Sequence, residues 1–208
     1  MELPRFLLPL LDALIPPRPS ERIVRALSLE ELRGLPAPKS SGSFEALLPY
    51  HDPRCLALVW ELKYRRSGAA VALAAALFEE PLAGFAGEEG VVPLLIPVPM
   101  HPLRLTERGF NQTELLCAAV AERFPRVGEY APLLLRRVRY ARPQQGLPRA
   151  ERLKNMRNAM AVSEPGRVFG RTCVVLDDVA TTGATFEEAR RALLEAGARG
   201  VHCIALAA

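Results

Sequence analysis

A short apolar run that passes directly into two acids and a threonine- and glycine-rich turn constrains this chain most. The run is Val174–Leu176, the acids are Asp177 and Asp178, and the turn ends at Thr185. A brief run of branched apolar residues is typical of a buried strand in a parallel sheet. The residues after Thr185 have helical spacing, so the segment predicts a strand, a turn and a helix in that order.

The groups in this segment suit a sugar that bears a phosphate. Carboxylates accept hydrogen bonds from vicinal hydroxyls and can hold a hydrated Mg²⁺ ion nearby. The turn from Ala180 to Thr185 offers backbone N–H groups and three hydroxyls, and it leads into the positive N-terminus of a helix. Gly183 lets the backbone approach a phosphate without a Cβ in the way. A simple helix cap would explain one Asp and one Thr, but not the second acid and the Thr-Thr-Gly turn.

Strands and helices alternate along the rest of the chain. Helices are predicted over 53–64, 71–78, 113–124 and 185–196, and strands over 91–98, 133–138, 159–162, 172–176 and 201–206. This alternation predicts an α/β fold with right-handed crossovers and a mostly parallel sheet flanked by helices. Ligands of such sheets bind beyond the carboxyl ends of the strands.

Basic residues are unevenly distributed. The net charge of +4 permits phosphate or nucleic acid partners without demanding them. The stretch 136–157 is either a solvated loop face or a loop that faces an anion, and its length is typical of a lid. Glu151 is its single acid, and its basic residues are Arg136, Arg137, Arg139, Arg142, Arg149, Arg152, Lys154 and Arg157.

Cysteine spacing and the N-terminal composition exclude other classes of protein. The four cysteines are Cys55, Cys117, Cys173 and Cys203. No CxxC pair exists, so we expect neither a disulfide framework nor a metal knuckle, as in a reducing cytoplasm. Glu2 replaces the basic start of a signal peptide and Asp12 interrupts the apolar run, so neither a signal peptide nor a membrane span is predicted.

The acidic pair and its turn resemble the signature of the type I phosphoribosyltransferases, which use 5-phosphoribosyl 1-pyrophosphate (PRPP). Three further blocks resemble the ComF family of that superfamily, and they occur in the family's order. The blocks are LKYR at 62–65, IPVPMHP at 96–102 with RGFNQ at 108–112, and RPQQGL at 142–147. The resemblance covers about residues 45–208 and implies a type I phosphoribosyltransferase-like, Rossmann-like fold with a flexible hood loop over 139–157.

The resemblance implies a role for each residue of the segment. Asp177 and Asp178 would be the catalytic carboxylates, contacting the ribose 2′- and 3′-hydroxyls and a Mg²⁺ ion mostly from its outer shell. The residues around the 5′-phosphate would be Val179, Ala180, Thr181, Thr182, Gly183, Ala184 and Thr185. Arg104 and Arg108 would offer forked donors to the pyrophosphate, although their i, i+4 spacing also suits a plain surface face.

Several neighbouring residues have two interpretations each. His101 can assist the pyrophosphate loop or be structural, and Asn111 can cap the following helix or contact the ligand. Lys63 and Arg65 can meet the phosphates of the ligand from a neighbouring helix. In the hood, Gln144 and Gln145 can orient a nucleophile or be ordinary polar loop residues, and Phe110 and Tyr140 are candidates to stack on an acceptor.

The chain departs from the ComF family at its N-terminus. Family members usually open with a four-cysteine zinc module just after a Pro-Pro-Arg step. Here Pro19 follows Pro16–Arg18, and no cysteine occurs before Cys55, so no zinc is expected. The resulting division is an N-terminal apolar and linker segment at 1–44 and a phosphoribosyltransferase-like domain at 45–208.

The resemblance implies Mg²⁺-dependent phosphoribosyl transfer from PRPP to an unknown nitrogen acceptor, and it leaves open whether turnover occurs. Positioning and charge stabilisation would supply most of the rate. The alternative is a non-catalytic accessory protein for DNA uptake that holds single-stranded DNA along 136–157. A third is a structural partner of a helicase-like protein. The expected partners are therefore PRPP, single-stranded DNA, competence or helicase-type proteins and a second copy in a homodimer, all in the cytoplasm.

Overall fold

The structure is a computed structural model of the 208-residue chain. It describes residues 17–36, 38, 43–85, 92–139 and 158–208. Most of the predicted hood loop, including Gln144 and Gln145, therefore lies outside the described residues, as does the apolar N-terminal run.

A parallel sheet of five strands lies at the centre of the fold. The strands are β1 (Glu45–Leu48), β2 (Leu94–Pro97), β3 (Glu129–Tyr130), β6 (Thr172–Val179) and β7 (Gly200–Ala207), in the spatial order β1-β7-β6-β2-β3. All four neighbouring pairs are parallel. A separate antiparallel pair consists of β4 (Leu135–Arg137) and β5 (Met160–Val162).

Helices connect these strands and cover the sheet. They are α1 (Pro19–Ala26), α2 (Leu29–Arg33), α3 (Pro53–Arg65), α4 (Gly68–Leu77), α5 (Glu79–Ala83), α6 (Pro102–Arg108), α7 (Gln112–Arg123), α8 (Pro165–Val168) and α9 (Ala184–Glu195). Helix α9 ends as expected, because Gly197 takes a φ of +88°, which an L side chain rarely adopts.

Side chains of β6 point alternately into two separate clusters of the core. Val174 and Leu176 pack in one cluster with α3, α4 and α7, whereas Cys173 and Val175 pack in the other with α9. Successive side chains of a strand point to opposite faces of the sheet, so helices cover both faces and β6 is buried from Cys173 to Leu176.

The crossovers change direction between β2 and β6. The β2-to-β3 crossover runs through α7 on one face, and the β6-to-β7 crossover runs through α9 on the other. Right-handed crossovers that leave in opposite directions place their helices on opposite faces. The carboxyl ends of β2 and β6 thus flank a topological switch point, which is where ligands of such sheets bind.

Part of the N-terminal segment packs on this body. Val24 of α1 and Leu32 of α2 are buried in the cluster that contains α3. The fully buried Glu61 accepts a hydrogen bond from Ser20 Oγ at 2.7 Å and pairs with Arg18 at 3.2 Å. These contacts attach α1 to α3, and the boundary at residue 44 stays a prediction.

The predicted α/β class with its mostly parallel sheet is confirmed, with two corrections to individual strands. The predicted strand at 133–138 exists as β4, but it pairs antiparallel with β5 and not with the central sheet. Strands β1 and β3 were not predicted, since neither carries a clear apolar period. Within the described ranges, no helix is both long and apolar enough to cross a membrane.

Candidate functional site

Both acids lie at the mouth of the crevice between β2 and β6. The last pair between these strands joins Pro97 to Leu176, whereas β6 stays paired with β7 as far as Val179. Asp177 and Asp178 are therefore inside β6, which runs beyond its predicted end at Leu176. They have no pairing partner on β2, because the pairing of β2 with β6 has already ended at Pro97 and Leu176.

Asp178 is buried, with only 4% of its surface exposed. Its Oδ1 lies 3.4 Å from Lys63 Nζ, near the end of α3. Its Oδ2 has no hydrogen-bond partner in the described part of the chain. A buried carboxylate oxygen without a partner is costly, so this atom is suited to accept a hydrogen bond from a ligand or to approach a cation.

Asp177 lies one position earlier on β6, and Arg137 acts on its charge in addition to Lys63. Its Oδ1 accepts a hydrogen bond from the backbone N–H of Asp178 at 2.8 Å. Burial and the neighbouring carboxylate raise the pKa of Asp177 above its ordinary value, while Lys63 and Arg137 act in the opposite direction. The negative charges of the two neighbouring carboxylates are therefore balanced by Lys63 from α3 and Arg137 from β4.

Arg137 is the residue of the basic 136–157 stretch that the structure brings to this site. Its Nε donates to the carbonyl oxygen of Pro99, just after β2, at 3.2 Å. Burial lowers the pKa of Arg137, and the charge of Asp177 opposes that shift. Arg104 also acts on Arg137 electrostatically, so the first turn of α6 contributes positive charge to the same region.

The turn after β6 presents its backbone amides at the crevice. The N–H of Ala180 donates to Ala207, which ends the sheet pairing. Among the described residues, the amides of 181–186 donate to no backbone carbonyl, and α9 begins at Ala184. Unpaired amides at the start of a helix favour a phosphate, so the predicted 5′-phosphate turn has the required donors.

Gly183 has a second structural role that the sequence did not indicate. Its φ of +76° belongs to the left-handed region. A Cβ built at this position would lie 2.9 Å from Ser43 Oγ and 3.2 Å from the ring of Phe44. The missing side chain therefore makes room for the segment before β1, in addition to any approach of a phosphate.

The loop after β2 shows the structural role of two residues. His101 Nδ1 accepts from the N–H of Leu103 and caps α6, and Asn111 Oδ1 accepts from the N–H of Thr113 and caps α7. Arg108 donates to Gln112 Oε1 at 2.8 Å. Contacts of Arg104 and Arg108 with pyrophosphate stay predictions.

The acidic pair fits a divalent cation only if a substrate supplies further ligands. No group of three or more His, Cys, Asp or Glu side chains that could hold a metal occurs within the described ranges. Mg²⁺ prefers oxygen ligands and is usually held by one or two carboxylates together with substrate phosphates. Asp177 and the unpartnered oxygen of Asp178 match that donor set.

The raised pKa of Asp177 predicts how the stability of the ligand-free protein depends on pH. The folded protein keeps a proton that the unfolded chain releases, so the free energy of unfolding falls as pH rises from about 4 toward the raised pKa. A tenfold difference in proton affinity between the folded and unfolded chain corresponds to about 1.4 kcal/mol. Asp177→Asn removes this loss, and its stability advantage over the wild type should grow with pH. Urea unfolding without Mg²⁺ measures it, and an advantage that is constant with pH would contradict the prediction.

Comparisons with known proteins agree with this geometry. A model of the phosphoribosyl transferase domain matches residues 118–208, which include β6, its turn and α9. The DNA utilization protein YhgH of Salmonella typhi is 36% identical over 155 residues, which are 73% of this chain and 66% of that protein. Competence protein F of Haemophilus influenzae is 30% identical over 116 residues, which are 54% of this chain and 49% of that protein. The chain thus aligns with slightly less than two thirds of the length of YhgH.

Proposed function

Because the chain belongs to the ComF family of the type I phosphoribosyltransferase superfamily, we propose that it binds PRPP at the carboxyl ends of β2 and β6 and transfers the phosphoribosyl group to a nitrogen acceptor. The observation that carries this proposal is the meeting of three kinds of group at one switch point. These are the carboxylates of the buried Asp178 and the half-buried Asp177, the amides of 181–186, which donate to no backbone carbonyl in the described residues, and cations from α3 and β4.

Each group has a role that its chemistry supports. The amides of 181–186 and the N-terminus of α9 bind the 5′-phosphate, and the carboxylates of Asp177 and Asp178 accept hydrogen bonds from the ribose hydroxyls. Arg104 and Arg137, which act on each other electrostatically, supply positive charge that balances the pyrophosphate as its bond to C1 of the ribose breaks. Mg²⁺, when bound, would be held by Asp177 and Asp178 together with oxygens of the substrate and would supply further positive charge to offset that of the diphosphate.

A titration calorimeter tests binding, and a release assay tests transfer. PRPP with Mg²⁺ should bind one site per chain, and ribose 5-phosphate should bind more weakly because it lacks the diphosphate. Pyrophosphate released on addition of a panel of bases and amines would identify the acceptor. We name Asp177, Asp178 and the amides of 181–186 the PRPP cradle. Absence of any heat with PRPP and Mg²⁺ would refute the PRPP cradle, whereas binding without release would leave a PRPP-binding protein that does not turn over.

The second candidate is an accessory protein for DNA uptake. The relatives that carry this idea are named DNA utilization protein and competence protein F. The basic stretch expected to hold a strand is 136–157; its residues 140–157 lie outside the described residues, whereas Arg136, Arg137 and Arg139 are described. Charge reversal at Arg136 and Arg139 should weaken DNA binding and flatten its dependence on salt if this stretch binds the phosphates.

A further inference from the structure

The exposed side of α3 carries aromatic rings beside the acidic site. Trp60 is 51% exposed and Tyr64 is 49% exposed, and their ring centroids are 4.5 Å apart. The two residues are one helical turn apart, so their rings form a continuous surface. Lys63, on the same turn of α3, reaches Asp178, so this surface borders the proposed PRPP cradle.

Cations from the neighbouring segments lie over these aromatic rings. The guanidinium of Arg108 lies 5.3 Å from the centroid of Tyr64, and that of Arg66 lies 5.2 Å from the centroid of Phe110. We name the set of Trp60, Tyr64, Arg66, Arg108 and Phe110 the aromatic rim. It joins the end of α3 to the end of α6.

The charge around the aromatic rim is strongly positive. The acids of 52–66, which are α3 and its two caps, are Asp52 and Glu61. Asp52 pairs with Arg54 at the start of the helix, and Glu61 is fully buried and paired with Arg18 and Ser20. In the segment 101–112 the acid is Glu107. Apart from Arg54 at the start of α3, the basic side chains of the two segments are Lys63, Arg65, Arg66, Arg104 and Arg108.

We propose that the aromatic rim is a stacking surface for single-stranded nucleic acid. Exposed rings accept unpaired bases with little regard to sequence, and interleaved arginines both stack on bases and hold phosphates. Lys63, Arg65, Arg66, Arg104 and Arg108 lie in these segments with Glu107 as the exposed acid of 101–112, and this excess of positive charge complements the phosphates of a strand. The proposal places the binding surface on residues of α3 and of the segment 101–112.

The sequence offers a direct probe, because Trp60 is the single tryptophan of the chain. An oligothymidylate of about 20 nucleotides is long enough to cover the surface and should quench the tryptophan fluorescence as bases stack on the indole. Thymidine 5′-monophosphate at the same nucleotide concentration should quench it much less, because one nucleotide gains neither several stacked bases nor several phosphate contacts. Equal quenching by the mononucleotide would overturn the proposal of a strand track.

Substitution of Trp60 tests the energetic contribution of stacking. Trp60→Ala should weaken strand binding, measured by anisotropy of a labelled oligothymidylate, by about tenfold or more. Phe169→Ala removes a more exposed ring, at 76%, from the loop between α8 and β6, and should leave strand binding unchanged. Circular dichroism melts verify that both variants are folded.

The outcomes separate this proposal from PRPP binding. Trp60→Ala should bind PRPP and Mg²⁺ as the wild type does, because Trp60 is not part of the cradle. Strand binding that is unchanged in Trp60→Ala, or absent from the wild type, would overturn the stacking surface without affecting the PRPP proposal. Strand binding that requires Trp60 in a protein that does not bind PRPP would uphold the stacking surface and refute the cradle.

Discussion

The double variant Asp177→Asn, Asp178→Asn is expected to lose PRPP affinity by a factor of about 10² to 10⁴. Asparagine has nearly the same shape as aspartate. Its neutral amide oxygen, however, lacks the negative charge that strengthens a hydrogen bond to a ribose hydroxyl. Hydrogen bonds to charged groups contribute about 1.5–3 kcal/mol each, and the loss of two such bonds gives this range. Calorimetry with PRPP and Mg²⁺ measures the affinity.

The same variant should remain folded. The burial that raises the pKa of Asp177 opposes ionisation, and the amide removes that cost. Lys63 loses its pairing with Asp178, but Lys63 keeps 22% of its side chain in solvent, which limits the penalty. The two effects have opposite sign, so urea unfolding should give a free energy within about 1–2 kcal/mol of the wild type.

A matched control distinguishes an effect of the acidic pair on PRPP affinity from a general effect of removing two negative charges. Glu79 and Glu80 are consecutive, exposed acids at the start of α5, outside the crevice. Glu79→Gln with Glu80→Gln makes the same change in net charge and should leave the PRPP affinity unchanged. Equal affinities in all three proteins would show that the acidic pair does not bind the ribose.

The central sheet was predictable because its inner strands are buried on both faces. Side chains of β2, β6 and β7 fill both clusters of the core, so each of these strands contains an uninterrupted run of apolar residues. Such a run identifies a buried strand from the sequence alone. Strands β1 and β3 are short and lie at the edges of the sheet. Their pairing with β7 and β2 is a tertiary contact, which local sequence does not encode.

The acidic pair and its turn were also predictable, since they are contiguous in sequence and each residue type has a defined chemical use. The cations that flank them come from distant parts of the chain. The sequence suggested Lys63 and the Arg136–Arg139 region as anion contacts, but it could not show that Lys63 pairs with Asp178 or that Arg137 acts on Asp177. Only the packing of α3 and β4 against the end of β6 brings these charges together.

Gly183→Ala is expected to destabilise the protein and to weaken PRPP binding together. Alanine at a φ of +76° costs about 1–2 kcal/mol. Its Cβ would also press on Phe44, which is buried and packs on Phe186 with ring centroids 5.4 Å apart, so the ring cannot withdraw freely. Overpacking adds about 1–3 kcal/mol, so the free energy of unfolding should fall by about 2–5 kcal/mol and Tm by on the order of 10 °C.

Gly109→Ala isolates the backbone part of that cost. Gly109 has a φ of +80°, but a Cβ there would meet no atom within 4 Å. Its unfolding free energy should therefore fall by only about 1–2 kcal/mol, less than that of Gly183→Ala. In Gly183→Ala the packed ring of Phe44 cannot move away from the new Cβ, so we expect the turn to shift instead. The amides of 181–186 shift with it, and PRPP affinity should fall even at temperatures where that variant is fully folded. Equal destabilisation by the two substitutions would mean that the contact between the turn and Phe44 does not constrain Gly183.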